Sequence, residues 1–264
     1  MSFFDQVKPY FIENWHDELN RQLWPHASFR LSQNDVNALG YACPAWKSNF
    51  SPTNPELIEF IKNNIHFNMA PSSFIKVGAK APTDCPEALK NRGKAKNAQQ
   101  ALFYITRSEQ KIPNELHLAL SNQYDPWVHV FEWKNVPPGS EFRVFVKGVE
   151  DEKLSVVGIS QRNYLGNFPD IHKYHAGLLR GIAQYCHERI LPYLPGECAV
   201  DVMTFITEDD QRLKLQLIDI NPLIKSTDLC LFDPKYEIKE SKEPNFDGTF
   251  RYIKDRKPVA VGVE

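Results

Sequence analysis

The segments Cys198–Phe205 and Lys214–Pro222 each read as a strand, separated by the turn-forming run Glu208-Asp209-Asp210-Gln211. They predict a β-hairpin, and it carries carboxylates where a hairpin core wants apolar groups. Side chains two apart on a strand share a face. Ala199, Asp201, Met203 and Phe205 therefore line one face, and Leu215, Leu217, Asp219 and Asn221 line one face of the returning strand. With a loop of residues 208–212, position 207 pairs with 213, and counting back sets Asp201 opposite Asp219. Like charges directly opposite repel, and a lone carboxylate among apolar neighbours is costly. Asp219 and Asn221, roughly 7 Å apart along the strand, can straddle a hard cation such as magnesium. Two plainer readings compete with a metal. One is a strand end stopped by Pro222; the other is an Asp paired with a core Lys or Arg.

The chain has 264 residues, enough for one large domain or two small lobes. A net charge of −2 gives no reason to expect nucleic-acid or anionic-membrane binding. No apolar run approaches the ~20 residues needed to span a bilayer, and Met-Ser-Phe-Phe-Asp-Gln lacks the layout of a secretory signal. Five scattered cysteines (Cys43, Cys85, Cys186, Cys198, Cys230) without a C-x-x-C point to reduced thiols. The expectation is a cytoplasmic monomer that binds neither nucleic acid nor membrane.

Helical spacing of Phe4, Val7, Phe11, Trp15, Leu19 and Leu23 predicts an amphipathic helix over 3–24. Residues 25–54 read mostly as loop, and Asn54-Pro55-Glu56 starts a helix over 55–66. A short strand at Phe74–Val77 precedes a small-residue loop and a helical stretch over 88–105. Strands are expected at 115–120 and 128–133, then at 141–148 and 154–161 across Glu150-Asp151-Glu152. A long helix is expected over 170–190, and the residues from about 235 read as a loosely held polar tail. Helices mixed with antiparallel hairpins give an α+β class. The division expected is an N-terminal lobe at 1–135, a C-terminal lobe at 136–235 and a tail at 236–264.

Lys76, in the apolar strand Phe74–Val77, needs an anionic partner or an exit to solvent. It is either a phosphate-holding point charge or a snorkelling edge lysine. Glu141, Arg143, Phe145 and Lys147 share a face; hairpin counting sets Arg143 near Ser160 and Glu141 near Arg162, as an anion site or as an ion-paired surface. His172 and His175, one helical turn apart, are metal-ligand candidates or part of a solvated face. The chain has no P-loop, no dinucleotide fingerprint and no G-x-S-x-G.

In this order, the blocks resemble the cell division cycle protein 123 family. Phe74-Ile75-Lys76 with Ala81-Pro82-Thr83-Asp84 is similar to the family's lysine strand and its S/A-P-K/R-D loop. Pro138-Gly139-Ser140-Glu141-Phe142-Arg143-Val144-Phe145-Val146 is similar to P-G-x-E-F-R-x-F-V, and Gly158-Ile159-Ser160-Gln161-Arg162-Asn163-Tyr164 to G-I-S-Q-R-D-Y. Asp201, then Leu217-Ile218-Asp219-Ile220-Asn221-Pro222 and Thr227-Asp228, is similar to D-V-Y, L-I-D-F-N-P and T-D. The likeness covers roughly residues 50–235. Thr83, Asn163, Leu223-Ile224 and Gly78-Ala79-Lys80 depart from the pattern.

The resemblance implies an ATP-grasp-like fold, two α+β lobes with mainly antiparallel sheets clasping ATP and Mg2+. Carried over by position, Lys76 would hold the α/β-phosphates, and Phe131-Glu132-Trp133 would meet adenine through backbone groups. Arg143 would face the phosphates, Glu141 the ribose hydroxyls, and Asp201, Asp219 and Asn221 would hold magnesium. The implied role is assembly of eukaryotic translation initiation factor 2 through its gamma subunit. The alternative is an ATP-grasp ligase or phosphotransferase that activates a carboxylate.

Overall fold

A computed structural model describes residues 2–148, 153–206, 213–236 and 246–262. The turns expected at 150–152 and 208–211 lie outside the described residues. The chain divides into two compact units, Met1–Asn14 with Trp24–Lys134, and Trp15–Leu23 with Asn135–Glu264. It therefore passes from one unit to the other at 14/15, 23/24 and 134/135.

The helix expected over 3–24 is broken. Helix α1 spans Phe3–Val7, capped by Ser2 and Asp5. Short 3-10 turns follow at Lys8–Tyr10 and Ile12–Asn14, and α2 spans Asp17–Gln22. Pro9 explains the first break, since its ring and missing N–H do not fit a helix interior. Residues 25–54 are not mostly loop. They hold β1 (His26–Arg30) and α3 (Gln33–Tyr41), the latter opened by a reciprocal Ser32–Asp35 capping box.

The first unit continues with α4 (Pro55–Asn68), β2 (Ser73–Val77), α5 (Pro86–Lys90), α6 (Ala98–Thr106), α7 (Lys111–Ser121) and β3 (Trp127–Glu132). The helical stretch expected over 88–105 is interrupted by a turn in which Arg92 and Gly93 adopt positive φ, 53° and 72°. The strands form an antiparallel sheet in the order β1-β3-β2, with Lys76 opposite His129 and Phe74 opposite Phe131. Ile75, Val77, Val128 and Val130 face the helices and join a core with Val36, Leu39, Ile61, Ile65 and Leu116. The alternate face carries Phe74, Lys76, His129 and Phe131.

The strand expected at 115–120 is instead helix α7. The alternation of Leu116, Leu118 and Leu120 imitates a strand. The residues actually buried, Ile112, Pro113, Glu115, Leu116 and Ala119, follow helical spacing. Asp84 secures the start of this helix. It accepts the N–H groups of Gln110 and Lys111 at 2.8 Å each and the Ser108 hydroxyl at 2.6 Å. Burial alone would raise its carboxyl, but the hydrogen bonds from Ser108, Lys111 and Gln110 outweigh that and hold it below the usual carboxylate range. Asp84→Ala is expected to cost about 1–2 kcal/mol, as losing a helix cap does. Urea unfolding with an unchanged midpoint would refute that role.

The second unit comprises α2 with β4 (Glu141–Gly148), β5 (Leu154–Gln161), α8 (Pro169–Arg189), β6 (Cys198–Ile206), β7 (Leu213–Pro222), β8 (Phe250–Lys254) and β9 (Lys257–Val261). Six strands form one sheet in the order β7-β6-β4-β5-β8-β9, antiparallel except where β8 runs parallel to β5. The loosely held tail is thereby corrected for 250–261, which supplies two strands of the sheet. Arg251 is buried there, bound to the Leu231 carbonyl and to Asp247, 3.9 Å above the Phe232 ring. Helix α2 belongs here because Leu19 is fully buried and Tyr185 donates its hydroxyl to Gln22 at 3.2 Å. His172 and His175 fit neither expectation. His172 Nε2 donates to the Ile253 carbonyl at 2.8 Å, and both rings lie against Tyr252.

The architecture is α+β with mainly antiparallel sheets. Among the described residues, no helix is long and apolar enough to cross a membrane. All five cysteines are buried and free of disulfides.

Candidate functional site

The β6–β7 register sets Asp201 opposite Asp219, as hairpin counting expects, though by a different route. Near the turn the register differs from the count by one residue, with Ile206 instead of position 207 opposite Leu213. A bulge between Asp201 and Val202 then restores the offset, leaving Ile218 as the extra residue. This corrects one expectation. Val202 faces Leu217 and Asp201 faces Asp219, and neighbours on β6 point to opposite sides, so Leu217 and Asp219 do too. Leu217 is fully buried, while Asp219 is half-buried. Asn221, opposite Ala199, shares the Asp219 side.

A row of polar side chains crosses the sheet at this level. Arg251 on β8 pairs with Ser160 on β5, Ser160 with Arg143 on β4, Arg143 with Asp201 on β6, and Asp201 with Asp219 on β7. Arg143 and Asp201 are both buried and meet in a two-pronged ion pair, Nε to Oδ1 at 2.7 Å and Nη2 to Oδ2 at 2.6 Å. The guanidinium also donates to the Asp228 carbonyl at 2.8 Å. Burial opposes its charge, yet Asp201 outweighs this and raises its pKa. The argument that two facing carboxylates require a cation is thus corrected for Asp201: Arg143 neutralises it.

Arg162 extends the cationic side. It bonds the Asp228 carboxylate at 2.6 Å and approaches Asp201 at 4.0 Å. Asp228 also accepts the Cys230 N–H at 2.9 Å; burial raises its carboxyl, but this bond and Arg162 bring it below the ordinary value. Glu141 goes the other way, raised first by burial and then by the Asp201 charge, against Arg162 and Arg143. The Arg162 N–H donates to the Glu141 carbonyl at 2.9 Å, so both expected strand pairings, 143 with 160 and 141 with 162, are present. Asp219 Oδ1 accepts the Ile220 N–H at 3.1 Å. Gly158 has no room for a side chain, since a Cβ would stand 2.5 Å from the Phe232 ring.

In the first unit, Lys76 is buried on the side of its sheet away from the helical core. Phe131 is buried and stacks on His26 at 4.6 Å. Glu132 is exposed and pairs with Lys134 at 2.7 Å, while the Trp133 indole donates to the Arg92 carbonyl at 3.1 Å. The N–H groups of Glu132 and Trp133 donate to the carbonyls of Pro25 and Ser72.

Sequence reasoning missed the acids around this sheet. Glu13 accepts the Tyr124 hydroxyl at 2.9 Å, the Trp127 N–H at 3.2 Å and His129 Nε2 at 3.1 Å. Glu115, buried, accepts the Ala79 N–H at 2.9 Å beneath the turn after the lysine strand. Gly78 has φ +54°, and a Cβ there would meet Glu115 at 2.5 Å. A charged residue inside the apolar run 112–120 was the available signal.

Lys76 and residues 131–133 thus lie in the first unit, and Glu141, Arg143, Asp201, Asp219 and Asn221 in the second. Among the described residues, no three His, Cys, Asp or Glu side chains converge as metal ligands. The oxygen donors at the β6–β7 end are Asp201, Asp219 and the Asn221 amide.

The family model described as D123 matches residues 47–263, most of the chain. The chain belongs to the D123 family, that of cell division cycle protein 123. The match runs through β8 and β9, beyond the motifs that end near 235. A Xenopus tropicalis relative, "Translation initiation factor eIF2 assembly protein", is 35% identical over 101 residues, 38% of this chain and 28% of the relative. A Danio rerio protein of the same description is 28% identical over 168 residues, 60% of this chain and 45% of the relative. The matches span less than half the length of these curated relatives. Cdc123 from Schizosaccharomyces pombe superposes with a TM-score of 0.66 at 19% identity, covering 88% of this chain and 90% of that one. At that identity the D123 likeness shows a shared fold.

Proposed function

We propose that this D123 protein binds ATP with Mg2+ through an ATP-grasp-like arrangement and acts as a cytoplasmic assembly factor for eukaryotic translation initiation factor 2, through its gamma subunit. The supporting observation is the polar row that ends, on β7, in Asp219 with Asn221 on the same side. The donor set fits magnesium: hard oxygens, with Asp219 and Asn221 half-buried and Asp201 buried against Arg143 and near Arg162. Asp219 and Asn221 would hold the ion, with Asp201 contributing while bonded to Arg143. When bound, magnesium would neutralise phosphate charge. Lys76 supplies a buried cation for phosphate oxygens, and Phe131-Glu132-Trp133 are assigned to adenine through their backbone groups. Glu141 is assigned to the ribose hydroxyls. The assembly role rests on the motifs and on the descriptions of the curated relatives.

Asp219→Ala is expected to abolish Mg2+-dependent ATP binding without unfolding the chain, because the side chain is half-buried. Thermal stabilisation by ATP and Mg2+ reads this; at 100 times its Kd a ligand adds about 2.7 kcal/mol. Unchanged ATP affinity in the variant would remove magnesium from the reading. Lys76→Ala should weaken ATP and leave adenosine nearly unaffected. Pull-down with purified gamma subunit, with and without ATP, tests the partner, and failure under both conditions would end that part. Release of ADP when carboxylates are supplied would favour the ligase instead.

A further inference from the structure

Between Glu87 and Glu109 the chain carries five cations and no carboxylate. Four of them, Lys90, Arg92, Lys94 and Lys96, fall at the end of α5 and in the turn that leads to α6. Lys90, Arg92 and Lys96 are exposed, and Lys94 lies 4.6 Å over the Trp133 ring. Among the described residues, Lys90, Lys94 and Lys96 form no ion pair.

The backbone under these side chains is fixed. Gly93 donates to the Ala88 carbonyl at 2.7 Å, and Ser73 and Ala95 exchange bonds of 2.9 and 2.8 Å. The buried Tyr104 hydroxyl donates to the Lys94 carbonyl at 3.0 Å and accepts from the Asn91 amide at 3.0 Å. Trp133 holds the Arg92 carbonyl. Arg92 is left-handed at φ 53° without being glycine, a conformation costing roughly 1–2 kcal/mol. Solvated charge needs none of this anchoring. A strained, clamped turn that gathers one sign of charge has the form of a preorganised docking element.

We propose that the Lys90–Lys96 turn docks an acidic, extended segment of a partner protein. Its carboxylates would pair with Lys90, Lys94 and Lys96, and Leu89, 68% exposed beside them, would take an apolar side chain. Nucleic acid fits less well. Lys94 covers the Trp133 face, which removes a stacking platform, and four cations fall short of the ~6–10 phosphate contacts that such binding uses.

The test is fluorescence anisotropy of the full chain with a short labelled peptide of alternating Glu and Ser and one central Leu. Wild type should bind it, less tightly as salt rises. The double variant K90E/K96E should bind about tenfold more weakly, and K90R/K96R like wild type. Both side chains are exposed, so the melting temperature should not move in either variant. No peptide binding by wild type at low salt, or binding indifferent to charge reversal, would overturn the proposal. So would tighter binding of a single-stranded oligouridylate of similar length.

Discussion

Replacing Arg143 by Met is expected to destabilise the second unit by about 3–5 kcal/mol, because it strands the Asp201 carboxylate in the interior. The loss comes less from the ion pair itself than from the charge left behind. Removing both charges should therefore recover most of it, and the pair R143M/D201L is expected to lie near wild type in urea unfolding. Equal destabilisation in the single and double variants would show instead that the guanidinium matters mainly through the Asp228 carbonyl it holds.

A second large effect concerns Glu115, whose carboxyl is raised from 4.5 to about 7, principally by burial, against the Ala79 N–H and the Lys80 and Lys76 charges. A group raised in this way favours folding while protonated. Below its unfolded value both states carry the proton and nothing is lost. Between that value and about 7 the unfolded chain releases the proton while the folded chain retains it, so stability falls as pH rises. Above the folded value the full cost stands, about 3 kcal/mol for a shift of this size. Glu115→Gln keeps an acceptor for Ala79 and carries no charge. It is expected to be more stable than wild type at pH 8, to match it near pH 4.5, and to lose that part of the pH slope. Parallel slopes in the two proteins would exclude Glu115 as their source.

How much could be read from the residues depended on how far apart the interacting groups lie in sequence. The hairpins 141–161 and 198–222 are local, and turn position with alternation places their strands within a residue or two. The bulge at Ile218 was not legible, because it answers to packing on both faces of β6, and Asp201 met Asp219 in the count only because two one-residue differences cancelled. The partner of Asp201 was out of reach for another reason. Arg143 lies 58 residues away, on a strand whose order in the sheet no local pattern fixes. Strand β8 was missed likewise, since it pairs in parallel with β5 and turns into β9 through Asp255-Arg256, both left-handed, instead of Asn-Gly. Helix α7 was misread because leucines two apart mimic a strand, and its decisive cap, Asp84, comes from 26 residues upstream. The strand positions of Glu141, Arg143, Asp201 and Asp219 were legible from hairpin counting; the buried acids Glu13 and Glu115 of the first unit were not.

The placement of residues 15–23 in the second unit has a consequence during synthesis. Trp15, Leu19 and Leu23 are buried in the finished protein, and α2 packs on α8 and β7, elements made some 150–200 residues later. At typical ribosomal speeds of about 5–20 residues per second, that apolar stretch waits on the order of ten seconds or more for its partners. Through that interval the nascent chain offers an amphipathic segment to whatever chaperone stands at the ribosome exit.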